Sequence, residues 1–283
     1  SLIETYPEEI LGEEHFKQHG LQPSFLLKFL DSAIRLHIQC HPTAAFAKQF
    51  LNSDFGKTEA YYILGTREDV ELPFIYLGFQ HPPSREELKV AIETQDIAFL
   101  ETCFEKIPVN KGDAFYVPAS LPHAIGEGVF MIEIMEPSDH VIRIEFEKAG
   151  YVLPEKARFM DRGIDIGLSI FDYKPYPMEH VRADFFIRER LLSETDSAKE
   201  YLLFDKNITS CFRMNKLVLT GDFILEKEGF YILIVTEGSG EIQSGTKKHQ
   251  LKFGDKFLVP ASADTLKLRP QEHLEVILAM PPE

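Results

Sequence analysis

The chain has 283 residues and a formal net charge of −15, from 45 acidic and 30 basic residues. This balance argues against nucleic acid or an anionic membrane as the main partner, because both need a basic surface. The three cysteines are far apart and form no CxxC pair, so we expect a reduced, cytoplasmic protein without structural disulfides. No apolar run approaches the roughly 20 residues that a membrane-spanning helix needs.

The first predicted elements are β-strands. SFLLKFLDSA, which starts at Ser24, is an apolar run that fits either a helix or a strand. RLHIQCHP is predicted as a strand that ends at Pro42, with His37, Gln39 and His41 on one face. TEAYYIL is a second predicted strand, and it places Glu59 at its start.

Helices are predicted between the strands. SREELKVAI has Ser84 as a candidate N-cap and Glu87 three residues later, the pattern of a capping box. IAFLETCF follows with its apolar residues on one helical face. PEKARFMDRG is predicted to start with Pro154 in the first helical position and to end at Gly163.

An internal repeat indicates two β-rich modules. KGDAFYVPAS and FGDKFLVPAS each contain a Gly-Asp turn, a strand and a Pro-led turn, and the repeat is offset by 142 residues. The Pro-rich stretch FDYKPYP lies near the predicted boundary, so the modules are predicted at residues 1–170 and 171–283. The position 142 residues after His123 is Thr265, and the second module has no counterpart of Glu59. Only the first module is therefore predicted to bind metal.

Four polar side chains of the first module are candidate metal ligands. They are Gln39 and His41 from the first strand, Glu59 from the second, and His123 from a loop stiffened by two prolines. Two imidazoles, a carboxylate and an amide oxygen suit one divalent ion. Zn²⁺ is favoured, and Mn²⁺, Fe²⁺ and Co²⁺ are alternatives. His37 shares the face of Gln39 and is interpreted as a supporting or packing residue.

Several motifs resemble, in order, those of the type I phosphomannose isomerases. IQCHP resembles the family's IQVHP, GKTEAYYIL its GKTE and aromatic run, and GDAFYVPASLPHAIG its GD–VPAGTPHAIG stretch. IEIMEPSDHVIR resembles the family pattern EIQQxSDxTYR. The resemblance runs from about Pro23 to Gly163, and beyond it only the architecture is similar. The sequence departs from the family by having Cys40, Thr43 and an altered tail after Arg143, and it lacks the N-terminal Trp-Gly pair.

The resemblance implies a fold, a reaction and a set of site residues. The fold would be mainly β, a bicupin of two jelly-roll-like β-barrel modules with a few inserted helices. The reaction would interconvert mannose-6-phosphate and fructose-6-phosphate, with one divalent metal ion and no membrane or nucleic-acid partner, in a monomer or homodimer. The family's metal ligands fall on the same four residues as those chosen above, and its active-site Lys and Arg fall on Lys57 and Arg143.

Two acidic residues complete the candidate site. Glu133 alternates with Met131 and Met135 and is a candidate general base, a partner of His123 or a plain strand residue. Asp139 is a candidate for orienting Arg143. Other functions that the pattern leaves open are an isomerase of a different phosphosugar, a cupin oxygenase, and a non-catalytic sugar-binding or regulatory bicupin.

Overall fold

The computed structural model describes residues 1–263 and 265–283 and divides into two compact units. The central unit comprises residues 26–187, and the terminal unit comprises residues 1–25 together with 188–283. The predicted module boundary at residue 170 therefore differs from this division, which also groups the first 25 residues with the C-terminal part. No helix among the described residues is long and apolar enough to cross a membrane.

The described chain contains mainly strands, with short helices between them. The helices are α1 (Leu2–Thr5), α2 (Pro7–Leu11), α3 (Glu13–His19), α4 (Ala44–Phe50), α5 (Arg85–Thr94), α6 (Ile97–Thr102), α7 (Glu155–Arg158), α8 (Ile164–Leu168) and α9 (Met178–His180), with a π-helical turn at Val181–Phe185. The strands are β1 (Leu26–Asp31), β2 (Gln39–Cys40), β3 (Glu59–Thr66), β4 (Phe74–Leu77), β5 (Ile107–Pro108), β6 (Ala114–Val117), β7 (His123–Ile125), β8 (Val129–Met135), β9 (Ile142–Arg143), β10 (Glu147–Lys148), β11 (Tyr151–Val152), β12 (Phe186–Ile187), β13 (Arg190–Glu194), β14 (Ala198–Phe204), β15 (Arg213–Leu219), β16 (Phe223–Leu225), β17 (Tyr231–Ser244), β18 (Lys247–Lys252), β19 (Lys256–Val259) and β20 (Leu266–Met280).

Two antiparallel sheets form the core of the central unit. One has the strand order β1-β8-β3-β6-β12 and the other β5-β4-β7-β2-β9. The residues of β3 and β8 are buried almost throughout, and a cluster built around Tyr61, Phe115 and Met131 includes residues of both sheets. The ambiguous apolar run after Ser24 contains strand β1, and all six residues of this strand pair with β8.

The terminal unit repeats part of this pairing scheme. In the central unit, β3 pairs with β6 so that Glu59 faces Val117. In the terminal unit, β17 pairs with β19 so that Tyr231 faces Val259, which lies 142 residues after Val117. The counterpart of Glu59 in the second ladder is thus Tyr231, whose buried phenol offers no carboxylate to a metal.

The helix predictions have mixed outcomes. The capping box of α5 is present, because Ser84 Oγ accepts from the Glu87 N–H and the Ser84 N–H donates to the Glu87 carboxylate. IAFLETCF contains helix α6 as predicted. The helix predicted from Pro154 to Gly163 is wrong in its extent, because Pro154 is the N-cap and α7 ends at Arg158. Met160 then adopts a positive φ of 54°, which an α-helix cannot accommodate.

Candidate metal centre

Three of the predicted site residues lie in one row across the second sheet. Gln39 in β2 is directly opposite His123 in β7 on one side and Arg143 in β9 on the other. Residues opposite each other in an antiparallel ladder project to the same face of the sheet. The main-chain pairing therefore brings the three side chains together, although they are up to 104 positions apart in sequence (143 − 39).

Strand β2 contains only two residues and is held in place by a buried carboxylate. Glu145 accepts a 2.6 Å hydrogen bond from the Ile38 N–H and binds the Arg35 guanidinium through both of its oxygens. Ile38 and Cys40 point into the apolar core, as the alternation of the sequence predicted. The polar residues of the segment consequently face the site.

The other sheet contributes a second polar row. Glu59 begins β3, and two residues later Tyr61 is opposite Glu133 in β8. Glu133 is in turn opposite Lys28 in β1. The Tyr61 hydroxyl donates a 2.8 Å hydrogen bond to Glu59 Oε2, which fixes the orientation of the carboxylate.

His41, Glu59 and His123 form a buried cluster with the dimensions of a metal site. His41 Nε2 lies 3.1 Å from Glu59 Oε1, and His123 Nε2 lies 3.5 Å from Glu59 Oε2. One ligand atom from each residue falls within 4.8 Å of the others. Each of the three side chains is at most 1% exposed.

Main-chain carbonyls orient both imidazoles. His41 Nδ1 lies 2.9 Å from the carbonyl oxygen of His140, and His123 Nδ1 lies 2.8 Å from that of Leu121. Since a carbonyl can only accept, each Nδ1 carries the proton and each Nε2 presents a lone pair to the cluster. The Gln39 side-chain nitrogen lies 3.1 Å from His123 Nε2, and rotation of the amide brings its oxygen to the same place.

The charge state of these side chains suits a divalent cation. Burial lowers the pKa of His41 and lowers that of His123 to about 4, so both imidazoles are neutral at pH 7. Burial acts to raise the pKa of Glu59, but the positive charges of His41 in its protonated form and of Lys57 outweigh it, and the net shift is downward. Two neutral nitrogens and a carboxylate are a donor set that Zn²⁺ accepts.

Two of the atoms that could bind a metal ion form no hydrogen bond. His41 Nε2 and Glu59 Oε1 are buried, and neither their mutual 3.1 Å contact nor the ion pair of Glu59 with Lys57 has hydrogen-bond geometry. Buried polar atoms without a partner are rare because each loses its hydration without replacement. A cation bound between them would satisfy both, so the residues present fit one metal ion.

Lys57 is buried beside the cluster. Its Nζ lies 2.8 Å from Glu59 Oε1. Arg143 is half-buried, and among the described residues its guanidinium has neither an ion-pair nor a hydrogen-bond partner. His37 Nε2 is also buried without a partner. The cationic side chains of Lys57 and Arg143 therefore accompany the candidate metal ligands, and they offer the local positive charge that an anionic substrate would need in an acidic protein.

The two acidic candidates have different environments. Glu133 is buried, and burial together with the Glu59 charge raises its pKa to about 7. Asp139 is exposed and lies 3.1 Å from Lys28 Nζ. The structure thus pairs Asp139 with Lys28, and the predicted contact with Arg143 is not made.

Three site residues were missed in the sequence. Tyr61 binds Glu59, Lys28 lies beside Glu133, and Glu136 binds the backbone on both sides of Lys57. The alternation of TEAYYIL places Tyr61 on the face of Glu59 and could have identified it. Lys28 lay in a segment with no decided secondary structure, and the partners of Glu136 are backbone groups about 80 residues away, which no local pattern reveals.

Known proteins are similar to this chain in sequence and in fold. The family model described as "Mannose-6-phosphate isomerase, cupin domain" matches residues 206–280. Mannose-6-phosphate isomerase ManA of Bacillus subtilis (strain 168) is 27% identical over 245 residues, which is 86% of this chain and 71% of that protein. Mannose-6-phosphate isomerase of Streptococcus mutans is 28% identical over 260 residues, 90% and 75% of the two chains. The chain is therefore similar in sequence to mannose-6-phosphate isomerases over most of its length.

Solved structures of mannose-6-phosphate isomerases have a fold similar to that of this chain. The crystal structure of the mannose 6-phosphate isomerase from Bacillus subtilis has a TM-score of 0.69 and 24% identity, covering 89% of this chain and 74% of that one. A mannose 6-phosphate isomerase bound with zinc and yttrium has a TM-score of 0.71 and 18% identity, covering 99% and 85%. The family model matches the C-terminal part, where the sequence analysis found only an architectural similarity.

Proposed function

We propose that this chain is a metal-dependent aldose–ketose isomerase that interconverts mannose-6-phosphate and fructose-6-phosphate through a cis-enediol. The observation that carries the proposal is the buried cluster of His41, Glu59 and His123 with Lys57 against it. Both curated relatives described above are named for this reaction. Gln39 would serve as the fourth ligand through its amide oxygen.

The reaction moves a proton between C2 and C1 of the open-chain sugar. A divalent metal ion held by His41, Glu59 and His123 would supply Lewis-acid polarisation of the sugar's carbonyl and hydroxyl oxygens. Glu133 is the candidate base, because a buried carboxylate with a pKa of about 7 can both accept and return a proton near neutral pH. A carboxylate oxygen of Glu133 would take the proton from C2 and hold it until it is delivered to C1.

Lys57 and Arg143 would act on negative charge. The buried Lys57 ammonium is positioned to stabilise the oxygen that becomes negative in the enediolate. The unpaired Arg143 guanidinium can bind a phosphate oxygen pair through two hydrogen bonds. Asp139 keeps no role in this scheme beyond its ion pair with Lys28, which neighbours the candidate base.

We propose the bicupin architecture on two grounds. The β17–β19 ladder repeats the register of β3–β6, and the cupin-domain model matches the terminal unit. In this proposal the first module holds the metal, while the second has Tyr231 in place of the ligand carboxylate.

A coupled isomerase assay with mannose-6-phosphate tests the proposed function. Activity is measured in the purified protein, after treatment with a chelator, and after Zn²⁺ is restored, with bound metal counted in each sample. We expect chelation to abolish turnover and Zn²⁺ to recover it. A protein that holds one metal ion per chain yet turns over no mannose-6-phosphate would refute the assignment.

A further inference from the structure

The segment that carries Lys57 is held by hydrogen bonds from three consecutive backbone N–H groups. The Gly56 N–H donates to Glu136 Oε1 at 3.2 Å, and the Thr58 N–H donates to Glu136 Oε2 at 2.8 Å. Between them, the Lys57 N–H donates to the Pro42 carbonyl at 3.0 Å. One carboxylate thus binds both neighbours of Lys57, and the remaining amide binds the residue that follows the ligand His41.

Further contacts fix the two segments to each other. The Glu136 N–H donates back to the Thr58 carbonyl at 3.0 Å, and the Ser138 hydroxyl donates to the Gly56 carbonyl. A Cβ at Gly56 would lie 2.7 Å from the Pro42 carbonyl oxygen, so only glycine permits this approach. The backbone around Lys57 therefore has little freedom to shift.

Glu136 is a buried acidic residue whose two carboxylate oxygens accept hydrogen bonds from backbone N–H groups. It is 8% exposed, and within the described part of the chain it forms no ion pair. A buried carboxylate without a cation is costly unless hydrogen bonds compensate it, and here the two amides do so. The family pattern has Gln at this position, which offers one acceptor oxygen instead of two.

We infer that Glu136 is a positioning residue for Lys57. Among the described residues it forms no hydrogen bond or ion pair with the candidate ligands or with the ammonium, and it acts by fixing the backbone from which the Lys57 side chain reaches Glu59 Oε1. The inference rests on the proposed isomerase function and adds to it the residue that sets the position of the cation. A displacement of about 1 Å in a catalytic group can lower the rate by about 100-fold.

The test compares two substitutions that differ in hydrogen-bond acceptors. Glu136→Met removes both acceptor oxygens at similar volume, and Glu136→Gln keeps one. We expect Glu136→Met to lower kcat by about 100-fold with little change in KM, and Glu136→Gln to fall between it and the wild type. Bound metal per chain should stay unchanged, and the amide hydrogens of residues 56–58 should exchange faster. Glu127→Gln, a substitution of an exposed carboxylate, is the matched control.

A double-mutant cycle distinguishes positioning from a general structural effect. If Glu136 acts through Lys57, Glu136→Gln should cost no further activity in a Lys57→Met background, because coupled residues are not additive. Additive losses, a rise in KM with kcat unchanged, or loss of metal in parallel with activity would each overturn the inference. If the wild type shows no isomerase turnover, the proposed function fails; unchanged exchange of the three amides in Glu136→Gln would then overturn the positioning role.

Discussion

Replacing Lys57 by Met removes a buried cation and keeps a side chain of similar length. Lys57 Nζ lies 2.8 Å from Glu59 Oε1, and Glu59 is completely buried. Removing one partner of a buried ion pair costs about 3–5 kcal/mol, because the remaining charge is left unpaired in a medium of low dielectric constant. We expect the metal-free Lys57→Met protein to lose about that much of its free energy of unfolding.

A bound metal ion should reduce this cost. It would give Glu59 a second positive partner and would also repel the nearby Lys57 ammonium. Two unit charges about 4 Å apart interact by about 4 kcal/mol at an effective dielectric constant of 20. Zn²⁺ should therefore stabilise Lys57→Met more than it stabilises the wild type, while the variant keeps its metal and retains only a low residual isomerase turnover.

Urea unfolding of chelated and Zn²⁺-loaded protein measures both effects, and the coupled assay measures turnover. Lys48→Met is the control, since Lys48 forms an exposed pair with Asp54 that contributes about 0–1 kcal/mol. Equal destabilisation of Lys57→Met with and without Zn²⁺ would refute the reasoning about Glu59. Turnover of Lys57→Met at the wild-type rate would remove Lys57 from the mechanism.

Three further substitutions test the cluster and its neighbours. His123→Ala should reduce bound metal below one ion per chain and abolish activity, and full occupancy by metal analysis would exclude His123 as a ligand. Tyr61→Phe should weaken Zn²⁺ binding by about 10–100-fold in a competition with a chelator, because the carboxylate of Glu59 loses the hydrogen bond that orients it. Glu133→Gln should stabilise the metal-free protein at pH 8 by up to about 3 kcal/mol, because folding raises the pKa of Glu133 from 4.5 to about 7. The wild type then loses stability as pH rises from 4.5 through 7, so the gain should vanish near pH 4; a gain independent of pH would contradict the raised pKa.

The strand positions of the candidate ligands could be predicted from the sequence, because they depend on the local alternation of apolar and polar residues. Alternation along RLHIQCHP puts Gln39 and His41 opposite the apolar Ile38 and Cys40, and the structure buries those two in the core. Glu59 likewise begins its strand as predicted. The alternation of a strand determines which residues share a face. When the apolar face is buried in the core, the polar residues must project to the opposite face.

The supporting contacts were not accessible in the same way. Asp139 lies four residues before Arg143, yet it pairs with Lys28, which comes from a strand 111 residues earlier. Glu136 and Gly56 are separated by 80 residues and meet only because β8 and β3 are neighbours in the sheet. Such contacts depend on the order of the strands in the sheet, and a local sequence pattern does not predict that order. The extent of helix α7 failed for another reason, because a left-handed turn at Met160 replaces the expected helical continuation.

Backbone carbonyls, and not neighbouring side chains, select the tautomer of the His41 and His123 imidazoles. The carbonyls of Leu121 and His140 perform this task, and every amino acid carries a carbonyl. Substitutions at positions 121 and 140 that keep the backbone in place should therefore leave unchanged which imidazole nitrogen faces the cluster. The orientation of the two imidazoles thus depends on the path of the backbone at these two positions and not on the identity of the side chains there.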